Sequence, residues 1–205
     1  VAAWLADATA AEAMYGHIST WNTSGVTDMS ELFSSDCRPH SCVDDLGVDM
    51  ISAWDTSSVI MMYGMFLGAS SFNQNIGGWS VDNVRDMHWM FGDASSFNQN
   101  VGGWNVEQVT NMHRMFSGAS AFNQDIGGWD TSSVTSMKSM FHGAWSFNRD
   151  ISRWDTSSVA KCGFAFVLAD AFAPEHRPRF PADASNDGIP SDALNTFLAP
   201  GQPNI

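Results

Sequence analysis

The chain is poor in positive charge. Its 205 residues hold 9 Lys and Arg against 22 Asp and Glu, a formal net charge of −13. A chain this acidic is repelled by phosphate backbones and by anionic lipid surfaces, so nucleic acid is not an expected partner. Long apolar runs are lacking too, and no membrane-spanning helix is expected. The chain opens without an initiator Met, a basic n-region or an apolar h-region. That is expected of a processed form or a fragment whose targeting signal has gone. Cysteine is scarce. Cys37 and Cys42 flank Arg-Pro-His-Ser, where the Pro favours a turn. A small disulfide loop is expected there, and with it an oxidising compartment. Two reduced thiols are the alternative, and zinc would need ligands beyond His40.

Catalytic groupings are missing as well. There is no Ser/His/Asp set, no isolated carboxylate pair in a variable region and no Gly-rich phosphate loop, so no enzyme and no cofactor are expected. A regular Thr ladder, as an ice-binding surface would need, is absent.

What the chain has is periodicity. Tryptophans fall at Trp21, Trp54, Trp79, Trp104, Trp129 and Trp154; the last four intervals are 25 residues and the first is 33. Five residues after each stands a Val, from Val26 to Val159. Three further on come Met29, Met62, Met87, Met112, Met137 and then Cys162. Four beyond that lie Phe33, Phe66, Phe91, Phe116, Phe141 and Phe166. A second aromatic column runs Phe72, Phe97, Phe122, Phe147, Phe172. One unit cannot bury so few apolar side chains alone, but stacked units cover one another. Cys162 fills a Met slot and reads as a small buried hydrophobe.

The period is too short for helix-pair repeats and falls within the leucine-rich-repeat range. The expected fold is therefore a leucine-rich-repeat-like solenoid, with short strands and short helical or 3₁₀ turns in each coil. Its expected organisation is an N-terminal helical cap over 1–15, a six-coil stack over 16–172 with an insertion at 34–50, and a Pro-rich cap and tail over 173–205. Val-x-x-Met is expected to enter a strand. Met115–Ala119 is expected to form one helical turn, and Phe-Asn-Gln a second extended piece. Trp4, Leu5, Ala8, Ala11 and Met14 are spaced for one apolar helix face. Asp192 to Leu198 is expected to form a short helix. Asn73, Asn98, Asn123 and Asn148 share one slot, as an inward asparagine ladder would require. The Asp-Thr-Ser-Ser runs, and Asn22 within its glycosylation sequon, suit Asx turns.

Ser-Phe-Asn-Gln-Asn-Ile-Gly-Gly-Trp at 71–79, Ala-Phe-Asn-Gln-Asp-Ile-Gly-Gly-Trp-Asp-Thr-Ser-Ser-Val-Thr at 121–135 and Met-Phe-Ser-Gly-Ala at 115–119 resemble the BspA-type leucine-rich-repeat surface proteins. These are abundant in mycoplasmas, surface-living bacteria and marine microalgae. Tyr-Gly-His-Ile-Ser-Thr-Trp at 15–21 looks most like the algal members. The resemblance spans residues 14–172 and implies adhesion or protein binding at a cell surface. It supplies no catalytic motif. The chain departs from the pattern in the 34–50 insertion, at Cys162 and at Ala165.

Within the fixed frame, the residues beside each Met vary. Stacked, they form a stripe that is aromatic and basic at its middle: Ile60, Met61, Tyr63, Arg85, His88, Trp89, His113, Arg114 and Lys138. Trp, Tyr and Arg dominate binding hot spots, so this stripe is the expected partner site. Ordinary surface tolerance is the competing explanation. His88 and His113 are two ligands where a metal centre wants more, and no metal is expected. Asp125 and Asp150 stack, but without the Gly-Gly-x-Gly-x-Asp calcium repeat. The expected function is a non-enzymatic module that binds another protein or a surface ligand. It is expected in an exported compartment, most of all at the cell surface. The alternatives are a structural subunit of a larger assembly, as in an organelle lumen, and polysaccharide binding through Trp89 and Tyr63.

Overall fold

The computed structural model describes residues 1, 3, 6–34 and 50–184. The expected Cys37–Cys42 disulfide, most of the 34–50 insertion, Trp4, Leu5 and the Asp192–Leu198 helix lie outside the described residues.

Each repeat makes one coil, and the coils stack in parallel. The link is one residue per coil, just before the Met: Asp28 pairs with Met61, Met61 with Asp86, Asp86 with Asn111, Asn111 with Ser136, and Ser136 with Lys161. These are isolated bridges. Among the described residues there is no strand and no sheet. The regular elements named among the described residues are the helix α1, Ala8–Tyr15, and 3₁₀ turns at Ile18–Thr20 and Pro174–His176. The expected strand-based, leucine-rich-repeat-like solenoid is thereby overturned, as are the strand at Val-x-x-Met and the helical turn at Met115–Ala119.

The backbone shows why. After Met62, alternate N–H groups reach the next coil: Met62 to the Asp86 carbonyl (3.0 Å), Gly64 to His88 (2.9 Å), Phe66 to Met90 (2.9 Å) and Gly68 to Gly92 (2.7 Å). The residues between them bond backward within their own coil: Met65 to Met62 (3.3 Å), Leu67 to Gly64 (3.0 Å) and Ala69 to Phe66 (3.1 Å). Two residues of this segment are left-handed, Gly64 at φ 55° and Gly68 at φ 71°. A strand keeps φ negative and aims successive N–H groups to opposite sides. Here alternate N–H groups still reach one neighbour, but the left-handed turns fold the groups between them back onto the carbonyl three residues earlier. Linked turns thus satisfy the backbone, as burial demands.

The core is a set of columns. Phe66 stacks on Phe91 at 5.6 Å between centroids, Phe91 on Phe116 at 5.5 Å and Phe116 on Phe141 at 5.6 Å, with planes within 14° of parallel. The second column repeats this: Phe72 to Phe97 at 5.8 Å and Phe97 to Phe122 at 5.9 Å. The Met and Val columns are buried from Met62 onward, and Cys162 is buried in its Met slot. Each Trp also locks to the coil before it. The indole N–H groups of Trp54, Trp79, Trp104, Trp129 and Trp154 donate to the carbonyls of Ile18, Ile51, Ile76, Val101 and Ile126 at 3.0–3.2 Å.

Polar ladders run outside the core. The Asn98, Asn123 and Asn148 N–H groups donate to the side-chain oxygens of Asn73, Asn98 and Asn123 at 2.9–3.0 Å. The asparagine ladder forms, but its residues are not inward. Asn73, Asn98 and Asn148 are exposed, because their bonds run along the surface from side chain to the next backbone. Thr23, Thr56 and Thr131 donate to the next coil's Asp55, Ser80 and Asp155 carbonyls at 2.8–2.9 Å. In the two coils between Thr56 and Thr131, buried Val81 and Val106 fill that slot. The Asx turns form at Asn22, Asp55, Asp130 and Asp155. Gly102 is required by close approach: a Cβ there would lie 2.2 Å from the Asp125 carbonyl oxygen.

Both ends are partly closed. In α1, Asp7 caps the N-terminus by accepting from Ala10 N–H at 2.9 Å. Ala11 is buried, but Met14 is 72% exposed, so the expected apolar face does not extend to it. At the other end, Ala173 N–H donates to Asn148 Oδ1 and Ile151 N–H to the His176 carbonyl. The Thr156 hydroxyl donates to the Arg179 carbonyl. Phe180 stacks on Phe166 at 5.9 Å, and the Arg177 guanidinium lies 5.5 Å from the Phe172 ring centre.

Replacing Trp104 by Phe removes both the donor to Ile76 and part of a buried ring. The loss expected in urea denaturation is about 2–4 kcal/mol, from an unsatisfied carbonyl plus a cavity. A loss below about 0.5 kcal/mol, the size of an ordinary surface change, would refute the Trp lock.

Candidate partner-binding stripe

The stripe sits on the linked-turn segment, where two local devices fix it. First, the bridge residue caps the turn. Asp28, Asp86 and Asn111 accept through Oδ1 from the N–H groups of Ser30, His88 and His113 at 2.8–3.1 Å. Second, the following residue is left-handed in every described coil: Glu31 (φ 55°), Gly64 (55°), Trp89 (60°), Arg114 (55°), Ser139 (53°) and Phe164 (59°). Only the second of these is glycine. For other residues the left-handed region costs roughly 1–2 kcal/mol.

Two groups of side chains come together. Tyr63, His88 and His113 form one column. The Tyr63 and His88 rings stack at 4.1 Å and 19°, and His88 and His113 at 6.0 Å and 11°. Asp86 anchors it: Oδ1 lies 3.1 Å from His88 Nδ1, and Oδ2 accepts from Asn111 Nδ2 at 3.3 Å. Beside this column, the Arg114 guanidinium lies 4.6 Å from the centre of the Trp89 ring. Such a cation–π contact is worth about 0.5–1 kcal/mol at an exposed site. Trp89 lies over Gly92, where a Cβ would come within 2.2 Å of the indole.

The other residues of the stripe are spread along it. Ile60 and Met61 are exposed at 41% and 40%, and Arg85 is exposed. Tyr63, His88, Trp89, His113, Arg114 and Lys138 are half-buried. Sequence reasoning missed Asp86 and Gly92. Gly92 was the available signal, since Leu67, Ser117 and His142 fill its slot in other coils and only the Trp89 coil needs the space. It also missed exposed Trp145 (59%). The rings of His88 and His113 lie face to face, and no group of three or more His, Cys, Asp or Glu able to hold a metal occurs among the described residues. Asp125 and Asp150 each cap a turn, accepting from Gly127 and Ser152 N–H at 3.0 Å.

The electrostatics of the stripe are positive although the chain is acidic. The His113 pKa is lowered to about 4, first by burial and then by the nearby charges of Arg114, His88, Lys138 and Lys161. His113 Nε2 is buried without a hydrogen-bond partner. His113 is therefore neutral at pH 7. By contrast, Asp28, Asp55, Asp130, Asp150 and Asp155 are pulled below the usual carboxylate range by hydrogen bonds from the Ser two residues on.

The family described as "Mycoplasma protein of unknown function, DUF285" matches residues 6–126 and 98–178. No curated protein and no solved structure matches the chain.

The His113 shift sets a pH dependence. The unfolded chain takes up its proton near the ordinary 6.5 and the folded chain only near 4. The stability from neutral His113 is whole above 6.5 and is lost as pH falls toward 4. In a histidine NMR titration the His113 ring is expected to titrate near pH 4, and His113→Gln to flatten the stability profile across that window. A ring titrating near 6.5 would contradict the crowding of charge around it.

Proposed function

We propose that this chain, which belongs to the DUF285 family of Mycoplasma proteins of unknown function, is a non-enzymatic binding module. On this reading it holds another protein against the stripe of Tyr63, His88, Trp89, His113 and Arg114. The observation that carries the reading is the Trp89–Arg114 pair. Both residues stand at positive φ in a slot that Gly64 fills without strain. Stability alone favours Gly there. A large aromatic and a cation kept at that cost, stacked together on a half-exposed face, have the composition of a binding hot spot. Positive charge set on an acidic chain favours an acidic patch on the partner. The reading extends to a BspA-type surface role in an exported compartment, supported by the Phe-Asn-Gln-Asp-Ile-Gly-Gly-Trp motif at 122–129.

The test separates binding from folding. A Trp89→Gly/Arg114→Gly variant places at both sites the residue that the second coil already uses. It is expected to melt within a few degrees of wild type, a change of about 1 kcal/mol or less. In a pull-down from the native source it is expected to lose the partner that wild type captures. A partner retained by the folded double variant would move the site off the stripe.

A further inference from the structure

The turn at the start of the first coil leaves one reactive atom idle. Asn22 opens that turn, and its Oδ1 accepts from the Ser24 N–H at 3.1 Å and from the Ser24 hydroxyl at 2.7 Å. Its Nδ2 donates to nothing among the described residues. The turn has no use for that nitrogen. Asp55 and Asp130 fill the same slot in other coils and receive the same pair of bonds, from Ser57 and Ser132, on a carboxylate oxygen. The turn therefore accounts for an acceptor at residue 22 and leaves the amide unexplained.

Asn105 is the other amide in this slot, but Glu107 stands two residues on, where the first coil has Ser24. Asn22-Thr23-Ser24 is the single place in the chain where Ser or Thr follows an Asn by two residues. With no Pro between, that is the acceptor sequence for N-linked glycosylation. The surroundings suit a bulky group. Asn22, Ser24 and Gly25 are exposed, and a Cβ on Gly25 would meet nothing within 4 Å. The inward contact is made by Thr23, which is buried and donates to the Asp55 carbonyl at 2.9 Å. Trp21 and Val26, on either side, are half-buried, whereas the Trp and Val columns of the later coils are buried.

We propose that Asn22 Nδ2 carries an N-linked oligosaccharide. The donor is an oligosaccharide on a polyisoprenyl diphosphate. The amide nitrogen attacks the anomeric carbon, a C–N bond forms, and the bond from that carbon to the diphosphate oxygen breaks. The lipid diphosphate leaves with the electron pair, one amide proton passes to solvent, and nothing is oxidised or reduced. The product is still an amide with its carbonyl oxygen, so the turn on Oδ1 survives. The sugar stands beside Trp21 and Val26 and shields the apolar start of the stack from water. This inference rests on the exported-compartment part of the proposed function and is independent of the stripe.

Peptide mass spectrometry on the chain from its native source tests it, after enzymatic deglycosylation in heavy-oxygen water. Removing the glycan converts the Asn to Asp, so heavy oxygen is expected in the side chain of residue 22. An unlabelled Asn22 overturns the proposal. The full chain secreted from a eukaryotic host behind a cleavable signal then separates site from compartment. A glycan on that sample alone puts the failure in the exported reading, and a bare Asn22 on both puts it in the site. In the secreted chain, Asn22→Asp and Ser24→Ala are each expected to abolish the glycan, and Ser24→Thr to keep it. Asn22→Asp is expected to melt as deglycosylated wild type does, since Asp55, Asp130 and Asp155 hold this turn in other coils. Sugar that persists in Asn22→Asp also overturns the proposal.

Discussion

The structure depends on the left-handed residues set between the Met and the Ala of each coil. They fold every second N–H group back onto its own coil, while the groups between reach the following coil. With these N–H groups paired in the inner coils, the chain can stack its turns without strands and still bury the flanking apolar side chains. The spacing that results brings Phe rings to 5.5–5.6 Å from one coil to the next through the middle of the stack. It also brings each Trp indole within reach of a carbonyl one coil back. The Phe columns, the Trp lock and the asparagine ladder all follow from that repeat distance.

The sequence made the contents of the core legible. The Trp, Val, Met and Phe columns, the Met role of Cys162 and the Asx turns all read directly from spacing, because burial selects residue type at a fixed phase. The backbone path did not. Positive φ announces itself through glycine, and only Gly64 among six residues carries that mark in the first left-handed slot. In the second slot, Gly68, Gly118 and Gly143 hint at it, but Asp93 and Leu168 adopt the same conformation and obscure the pattern. A β-branched Val before the Met therefore reads as the start of a strand, whereas the structure keeps one bridge residue. The stripe was legible as variation inside a frame. Which of its members touch was not, because the Trp89–Arg114 and Tyr63–His88 contacts lie between residues 25 apart.

The same backbone separates structure from surface chemistry. The bonds that hold the linked turns are made by main-chain groups and by the capping Asp or Asn. Side chains at the two variable slots make none of them. Ser30, Tyr63, His88, His113, Lys138 and Gly163 all fit the first slot, and Glu31, Gly64, Trp89, Arg114, Ser139 and Phe164 the second. The second slot is not free of cost, since every non-glycine there accepts the left-handed penalty. A residue retained at that position is held against a constant pressure toward glycine, which gives its identity more weight than variation on an unstrained face would carry.

Direction along the stack adds a further constraint. After the Met, N–H groups donate to the following coil, as Gly64 does to His88, whereas the residue before the bridge donates to the preceding coil, as Thr110 does to Arg85. The closing segment 173–180 covers the Asn, Thr and Phe sides of the last coil. The end of the stack is therefore finished by side-chain and main-chain contacts of a non-repeating segment, as Phe180 on Phe166 and His176 on Ile151 show.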